Sequence, residues 1–149
     1  MKTYEWDDII EINDNEIDIR NLESVILPAG VYPFSVIKTD KGHFDGFAKI
    51  PACEMAKVYL RLSGGNLGKG MCSEAFFLTS NMEWKAAAFL SCVGLRKHGD
   101  KVIWSDLMKC TGTSGRCEIY VDQYIDKYGK VSKCNRVKQF VSDGGDRHE

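Results

Sequence analysis

Residues 56–62 read AKVYLRL, and this stretch decides the predicted fold because apolar and polar side chains alternate along it. In a β-strand, successive side chains point to opposite faces. One face carries the aliphatic side chains of Ala56, Val58, Leu60 and Leu62. The other face carries Lys57, Tyr59 and Arg61. The first face predicts burial in a core, and the second presents an aromatic ring between two cations.

Four further stretches are typical of strands. They read VYPFSVIK (31–38), SEAFFLT (73–79), CEIYVDQYI (117–125) and KVSKCNRVKQFV (130–141). Segments with glycine separate them: a loop is predicted at 40–47, a turn at 63–70 and a hairpin turn at 126–130. Residues 16–20, EIDIR, alternate like one more short strand, so the sequence predicts five or six strands.

One long helix is predicted in the middle of the chain. It begins with Asn81 as N-cap, continues through EWKAAAFLSCVGL (83–95) and ends at Gly99. Trp84, Ala88, Ser91, Cys92 and Leu95 are predicted to share its apolar side, widened by Phe89 and Val93. A mainly β chain with one central helix favours a small β-barrel with the helix at one end, as in an OB-fold. An α+β two-layer sandwich is the alternative.

Length and composition favour one folded domain. The chain has 149 residues, of which 44% are hydrophobic and 28% charged, so it is expected to fold around a core. No apolar run approaches the roughly 20 residues that cross a membrane. The acidic start, MKTYEWDDII, lacks the layout of a signal peptide, which predicts a cytoplasmic location.

Charge is distributed unevenly along the chain, although the net charge is only −1. Residues 1–23 hold eight carboxylates against two cations, so they carry −6 and the remainder carries +5. Residues 142–149 are acidic again. We therefore divide the chain into an acidic N-terminal segment (1–23), one domain (24–141) and a short acidic tail (142–149). A basic body between acidic ends points to a polyanionic partner.

Metal binding and catalysis find little support in the sequence. The six cysteines include no CxxC pair and the three histidines lie far apart, whereas structural zinc sites usually show close ligand pairs. We therefore expect reduced cysteines and no cofactor, with zinc or a disulfide as the alternatives. GGNLGKG (64–70) lacks the spacing of a phosphate-binding loop. No nucleophile and base form a recognisable pair, so a non-catalytic protein is expected.

Two segments carry the chemistry of a nucleic-acid binder. Single strands are held by cations along the backbone and by rings that stack on bases. The row Lys57, Tyr59 and Arg61 supplies both, and is predicted to form the floor of a groove. The final hairpin supplies a wall: Lys127, Tyr128, Lys130, Lys133 and Arg136. In the loop before residues 56–62, Phe44 and Phe47 either stack on bases or fold back; Phe47 is counted with the site.

The order of five segments adds a resemblance to a known family. They are LPAGVYPFSVIK, AKVYLRL, EWKAAAFLSCVGLRKHGD, GTSGRCEIYV and GKVSKCNRVKQFV, within residues 27–141. Their order resembles a domain-of-unknown-function family of phage and prophage proteins that are described as single-stranded-DNA-binding. The resemblance implies an OB-like binding module that acts in phage replication or recombination, in the cytoplasm of a bacterial host cell. It assigns no contact to a particular residue.

The expected function is therefore sequence-independent binding of single-stranded DNA. The alternatives are an adaptor whose acidic termini touch a phage recombinase or helicase, and an inhibitor that mimics DNA through residues 1–23. The acidic ends serve either as a hook for that partner or as competitors for the DNA groove. A homo-oligomer is also compatible with the sequence, because a sheet with free edges permits association.

Overall fold

The structure, a computed structural model, describes residues 2–6 and 22–141. Its strands are β1 (Gly30–Phe44), β2 (Cys53–Ser63), β3 (Lys69–Phe77), β4 (Ser114–Ile125) and β5 (Val131–Val141). One α-helix, α1 (Glu83–Cys92), lies between β3 and β4 in the chain. Short 3-10 helices span Gly65–Leu67, Ser80–Met82 and Trp104–Met108. The prediction of a mainly β fold with one central helix is confirmed.

The five strands form one antiparallel sheet in the order β3-β2-β1-β4-β5. Long β1 pairs with β4 through its first residues and with β2 through the rest. The two end strands, β3 and β5, lie beside each other but share no ladder. The sheet is therefore not closed into the barrel that the sequence predicted.

The segment before β1 partly fills the gap between β3 and β5. The amide of Val25 donates to the Lys69 carbonyl of β3 at 2.9 Å. Buried Asn135 of β5 binds both backbone groups of Leu27, accepting from its N–H at 2.9 Å and donating to its carbonyl at 2.8 Å. The Leu27 side chain is fully buried against Gly70, where a Cβ would lie 2.9 Å from its Cδ1. Glycine at position 70 therefore leaves the space that Leu27 occupies.

The helix is shorter than predicted, and it faces the core differently. It begins at Glu83 after a 3-10 turn, and Asn81 does not cap it: the Asn81 side chain accepts a hydrogen bond from the Thr79 hydroxyl instead. Its buried residues are Ala86, Phe89 and Leu90, whereas Trp84 and Ala88 are exposed. Phe89 packs against Phe76 of β3 and Phe140 of β5. The predicted apolar side was wrong at Trp84 and Ala88. The helix carries apolar residues on several sides, so its sequence does not decide which side faces the core.

The predicted loop at 40–47 is also wrong in its first half, since β1 continues to Phe44. Residues 38–44 pair with residues 53–59 of β2. A bulge between Val36 and Lys38 shifts the register and breaks the alternation. The sequence pattern of a strand is therefore lost at residue 38, although the strand itself continues.

Residues 2–6 pack against the same unit. The amide of Tyr4 donates to the Leu78 carbonyl, and the Ser80 amide donates to the Lys2 carbonyl. The rings of Tyr4 and Trp104 lie 5.3 Å apart. The possible strand at 16–20 and most acidic residues of the two termini lie outside the described residues, so the roles predicted for these ends stay predictions.

Candidate nucleic-acid interface

Strand β2 has the two faces that its alternation predicts. Ala56, Val58, Leu60 and Leu62 are fully buried in the core. Lys57 is exposed on the outer face, and Tyr59 and Arg61 are half-buried there. The face assignment for Tyr59 is thus confirmed, because its ring does not enter the core.

Two ammonium groups lie against the ring of Tyr59. Lys57 Nζ is 5.4 Å and Lys38 Nζ is 5.8 Å from the ring centroid. Both distances are within the range of a cation–π interaction. Lys38 of β1 stands directly opposite Tyr59 in the β1–β2 ladder, and its Nζ also lies 3.9 Å from the Asp40 carboxylate. The outer face therefore combines one aromatic ring with two cations from neighbouring strands.

Sequence reasoning missed Lys38 because its face depends on the bulge in β1. Phe34 and Val36 are buried, so an unbroken alternation would turn Lys38 toward the core as well. The bulge after Val36 turns Lys38 to the outer face instead. Only the pairing between β1 and β2 shows this change, and no local signal in the sequence marks it.

Arg61, which was predicted to lie on the groove floor, is held by a hydrogen bond to the segment before β1. Its Nη2 donates to the Glu23 carbonyl at 2.6 Å. Its Nη1 is buried and has no hydrogen-bond partner among the residues that the structure describes. Arg61 therefore fastens the segment before β1 to the sheet, and it offers a ligand less of its guanidinium than an exposed arginine would.

Tyr59 and Arg136 line the same cleft, between β3 and β5. Its volume is about 270 Å³, and its other walls are formed by Met71, Cys72, Ser73, Cys134 and Asn135. Arg136 Nε donates to Asp122 Oδ2 at 2.7 Å, and this hydrogen bond raises the pKa of the guanidinium. The structure thus brings the β2 face together with one cation of the final hairpin.

One carboxylate, that of Asp126, orders the tip of the β4–β5 hairpin, which comprises residues 126–130. Asp126 Oδ1 accepts from the amides of Lys130 and Tyr128, and its Oδ2 accepts from the Ser132 hydroxyl. These hydrogen bonds, with that from Lys130 as the largest cause, lower the pKa of Asp126. Gly129 has φ +78°, a conformation that favours glycine in this turn. Asp126 therefore orders the turn.

Three predicted site residues lie on this tip: Lys127, Tyr128 and Lys130. All are exposed, and Lys127 Nζ lies 5.2 Å from the Tyr128 ring centroid. The flanking residues Ile125 and Val131 are 71% and 58% exposed, so the tip extends beyond the core. Among the described residues, no hydrogen bond, ion pair or ring contact joins the tip to β2.

The predicted wall is not one surface. Lys133 stands opposite Gln123 and Arg136 opposite Tyr120 in an unbroken part of the β4–β5 ladder. Because these two residues are three positions apart, their side chains point to opposite faces of the hairpin. Arg136 faces the cleft with Tyr59, and the expectation that Lys133 lines the same groove wall is wrong.

The two loop phenylalanines behave differently. Phe44 packs against Phe77, with ring centroids 4.7 Å apart. Phe47 is 78% exposed in a tight turn where its amide and carbonyl pair with those of Ile50. Of the two, only Phe47 presents its ring to a ligand.

Several cysteines are protected by the core: Cys53, Cys72, Cys110 and Cys117 are buried and form no disulfide. Burial raises the pKa of Cys110 and of Cys117 to about 12. Thiolates are the metal-binding and nucleophilic form, so these thiols are inert at neutral pH. Within residues 2–6 and 22–141, no three side chains of histidine, cysteine, aspartate or glutamate are grouped to hold a metal ion.

Comparison with known proteins adds no family to this geometry. No model of a known protein family matches the chain, and no curated protein matches it either. The resemblance to phage proteins therefore stays a prediction. In the described part of the chain, no helix has the length and apolar character needed to cross a membrane.

Proposed function

We propose that this protein binds single-stranded DNA without sequence preference and without catalysing a reaction. The observation that carries the proposal is the ring of Tyr59 on the outer sheet face, approached by two lysines and sharing a cleft with Arg136. A ring of this kind stacks on any base, and the cations around it pair with phosphates. The proposed setting is phage or prophage replication or recombination.

An OB-like fold is part of the proposal. The strand order β3-β2-β1-β4-β5, with α1 between β3 and β4, matches an OB barrel opened between β3 and β5. OB-folds bind oligonucleotides on strands 2 and 3 and on the loops β1–β2 and β4–β5. Here those parts carry the half-buried ring of Tyr59 and the exposed rings of Phe47 and Tyr128. This agreement supports binding on one outer surface.

The test is a titration with labelled oligo-dT, with duplex DNA and with RNA of the same length, at two salt concentrations. We expect the single strand to bind more tightly than the duplex, and its affinity to fall as salt rises, because bound cations displace counterions from phosphate. Tyr59→Ala should weaken binding about five- to a hundredfold, since a base stack contributes roughly 1–3 kcal/mol. Tyr59→Phe keeps the ring and is the matched control.

Unfolding curves of the two variants complete the titration. Because Tyr59 is half-buried outside the core, we expect Tyr59→Ala to unfold close to the wild-type midpoint. Failure of the wild-type protein to bind oligo-dT at low salt would overturn the proposal. So would equal affinities of the Ala and Phe variants.

A second measurement locates the ligand. Cys134 lines the cleft with Tyr59 and is half-buried, so alkylation can report on the cleft. We expect oligo-dT to slow iodoacetamide labelling of the Cys134 peptide in a mass-spectrometric time course. An unchanged rate at saturating oligo-dT would place the DNA elsewhere.

A further inference from the structure

Trp84 is the most exposed tryptophan among the described residues. Its side chain, in the first turn of α1, is 66% exposed, whereas Trp104 is only 5% exposed. Exposed Ala88 follows one turn later on the same side of the helix. Large aromatic side chains usually contribute to a core or to an interface. Trp84 contributes little to the core, so its ring is available to an interface.

A cleft of about 440 Å³ lies beside this ring, between α1 and the end of β5. Apolar atoms of Met82, Ala88, Val137 and Phe140 form much of its lining. Its volume is within the range of small-molecule sites, about 300–1,000 Å³. The cleft has the size and apolar lining to hold a flat ring against the indole.

The charges in this cleft favour a neutral ring with an anionic attachment. Lys85 Nζ is paired with the buried Glu74 carboxylate at 2.8 Å, so the inner end carries no net charge. At the rim, the Lys138 side chain is 65% exposed and its Nζ is 3.8 Å from Glu118. Glu118 is also engaged by Gln139 Nε2 at 2.7 Å. Lys138 is thus a weakly held cation at the mouth of an uncharged cleft.

The two clefts follow each other along the β3–β5 gap. The Tyr59 cleft includes Ser73 and Arg136, and the Trp84 cleft begins at the next residues, Glu74 and Val137. Between them, the Val137 amide donates to Glu74 Oε2 at 3.4 Å. Arg136 and Gln139 are three residues apart on β5, which is at most roughly 10 Å because a bulge interrupts the β4–β5 ladder between them. That distance corresponds to about three stacked nucleotides at 3.4 Å each.

We propose that the Trp84 cleft holds a second base of the same single strand, stacked on the indole, with Lys138 near its phosphate. A nucleobase has the required chemistry, because it is a flat, uncharged ring joined to an anionic backbone. The inference rests on the proposed function, and it extends the DNA path from the outer face of β2 along the β3–β5 gap to α1.

The experiment compares a short and a long oligo-dT, of about 2 and about 16 nucleotides. The short one is below the span of about three nucleotides between the clefts, and the long one reaches the largest usual site size of one OB-fold. Trp84→Ala should weaken binding of the long oligonucleotide about five- to a hundredfold, and should leave the short one unchanged. Tyr59→Ala should weaken both. Ile103→Ala, which removes another half-exposed apolar side chain outside the cleft, is the control and should change neither.

Fluorescence gives an independent readout. We expect the long oligonucleotide to quench tryptophan emission, the short one to quench it less, and Trp84→Phe to bind the long one while losing most of the quenching. If Trp84→Ala binds the long oligonucleotide like the wild type while Tyr59→Ala is weakened, this inference fails and the proposed function stands. If neither oligonucleotide binds the wild type, the proposed function fails and the inference fails with it.

Discussion

The outer face around Tyr59 and the tip of the β4–β5 hairpin carry the same kinds of side chain, a tyrosine with lysines against its ring. They differ in what supports them. The face lies on β2, whose alternate residues are fully buried, whereas the tip is held by the hydrogen bonds of Asp126 and flanked by exposed residues. A rigid face loses little entropy when it binds a ligand, and a mobile side chain loses more. The difference indicates that the face contributes most of the proposed affinity and that the tip extends it.

The largest expected effect is on the free energy of unfolding, at the core packing that supports the outer face of β2. Leu27→Ala should lower the free energy of unfolding by about 2–5 kcal/mol, because it leaves a cavity where a fully buried side chain packs in the β3–β5 gap. Ile125→Ala at the tip removes an exposed side chain and should change stability by less than about 0.5 kcal/mol. Chemical denaturation of both variants measures this. Equal losses would show that the tip is supported by the core as well.

Asn135 gives a smaller effect at the same gap. Asn135→Ala should cost about 1–3 kcal/mol, because it leaves the buried amide and carbonyl of Leu27 without their partner. Gln123→Ala on the exposed part of the hairpin is the control. A stability equal to that of the wild type would mean that the segment before β1 does not depend on Asn135, and that another contact holds it against β5.

The third prediction compares cations in binding. Lys57→Gln should reduce the slope of log affinity against log salt by about 0.7, the value for one phosphate contact on a single strand. Lys130→Gln should reduce it less, because the face is proposed to make more of the phosphate contacts than the tip that extends it. Titrations of both variants with oligo-dT at four salt concentrations give the slopes. A larger reduction of the slope for Lys130→Gln than for Lys57→Gln would mean that the tip, and not the outer face of β2, makes most of the phosphate contacts.

The smallest effect is a local response of the tip to pH. The pKa of Asp126 is lowered in the folded protein, so its charge stabilises the turn above the ordinary aspartate pKa of about 3.9, and this contribution is lost as the pH falls through the lowered value. We expect the amide resonances of Tyr128 and Lys130 to move in that acid range while those of the Tyr59 face change less. Asp126→Asn keeps an acceptor oxygen without the titration, and should abolish the response. The same response in that variant would assign it to another group.

Local pattern predicted much of the fold. Alternation placed β2 and its two faces, and the glycine-containing turn at 126–130 placed the final hairpin. Side-chain periodicity failed in two places: where a bulge interrupts a strand, and where a helix has apolar residues on several sides. The bulge after Val36 hid the second half of β1 and the position of Lys38, and the apolar residues around α1 left the exposure of Trp84 undetermined.

The sequence by itself determined which side of β2 enters the core, because side-chain alternation is a property of any extended chain. It also determined that Tyr59 stands among cations. Only the tertiary structure added Lys38 and, of the predicted hairpin cations, selected Arg136, since both residues lie on other strands than Tyr59. It also separated Lys133 from Arg136 and left a gap between β3 and β5. The physical reason is that register and packing between strands depend on contacts of the whole sheet, which no local window of sequence contains.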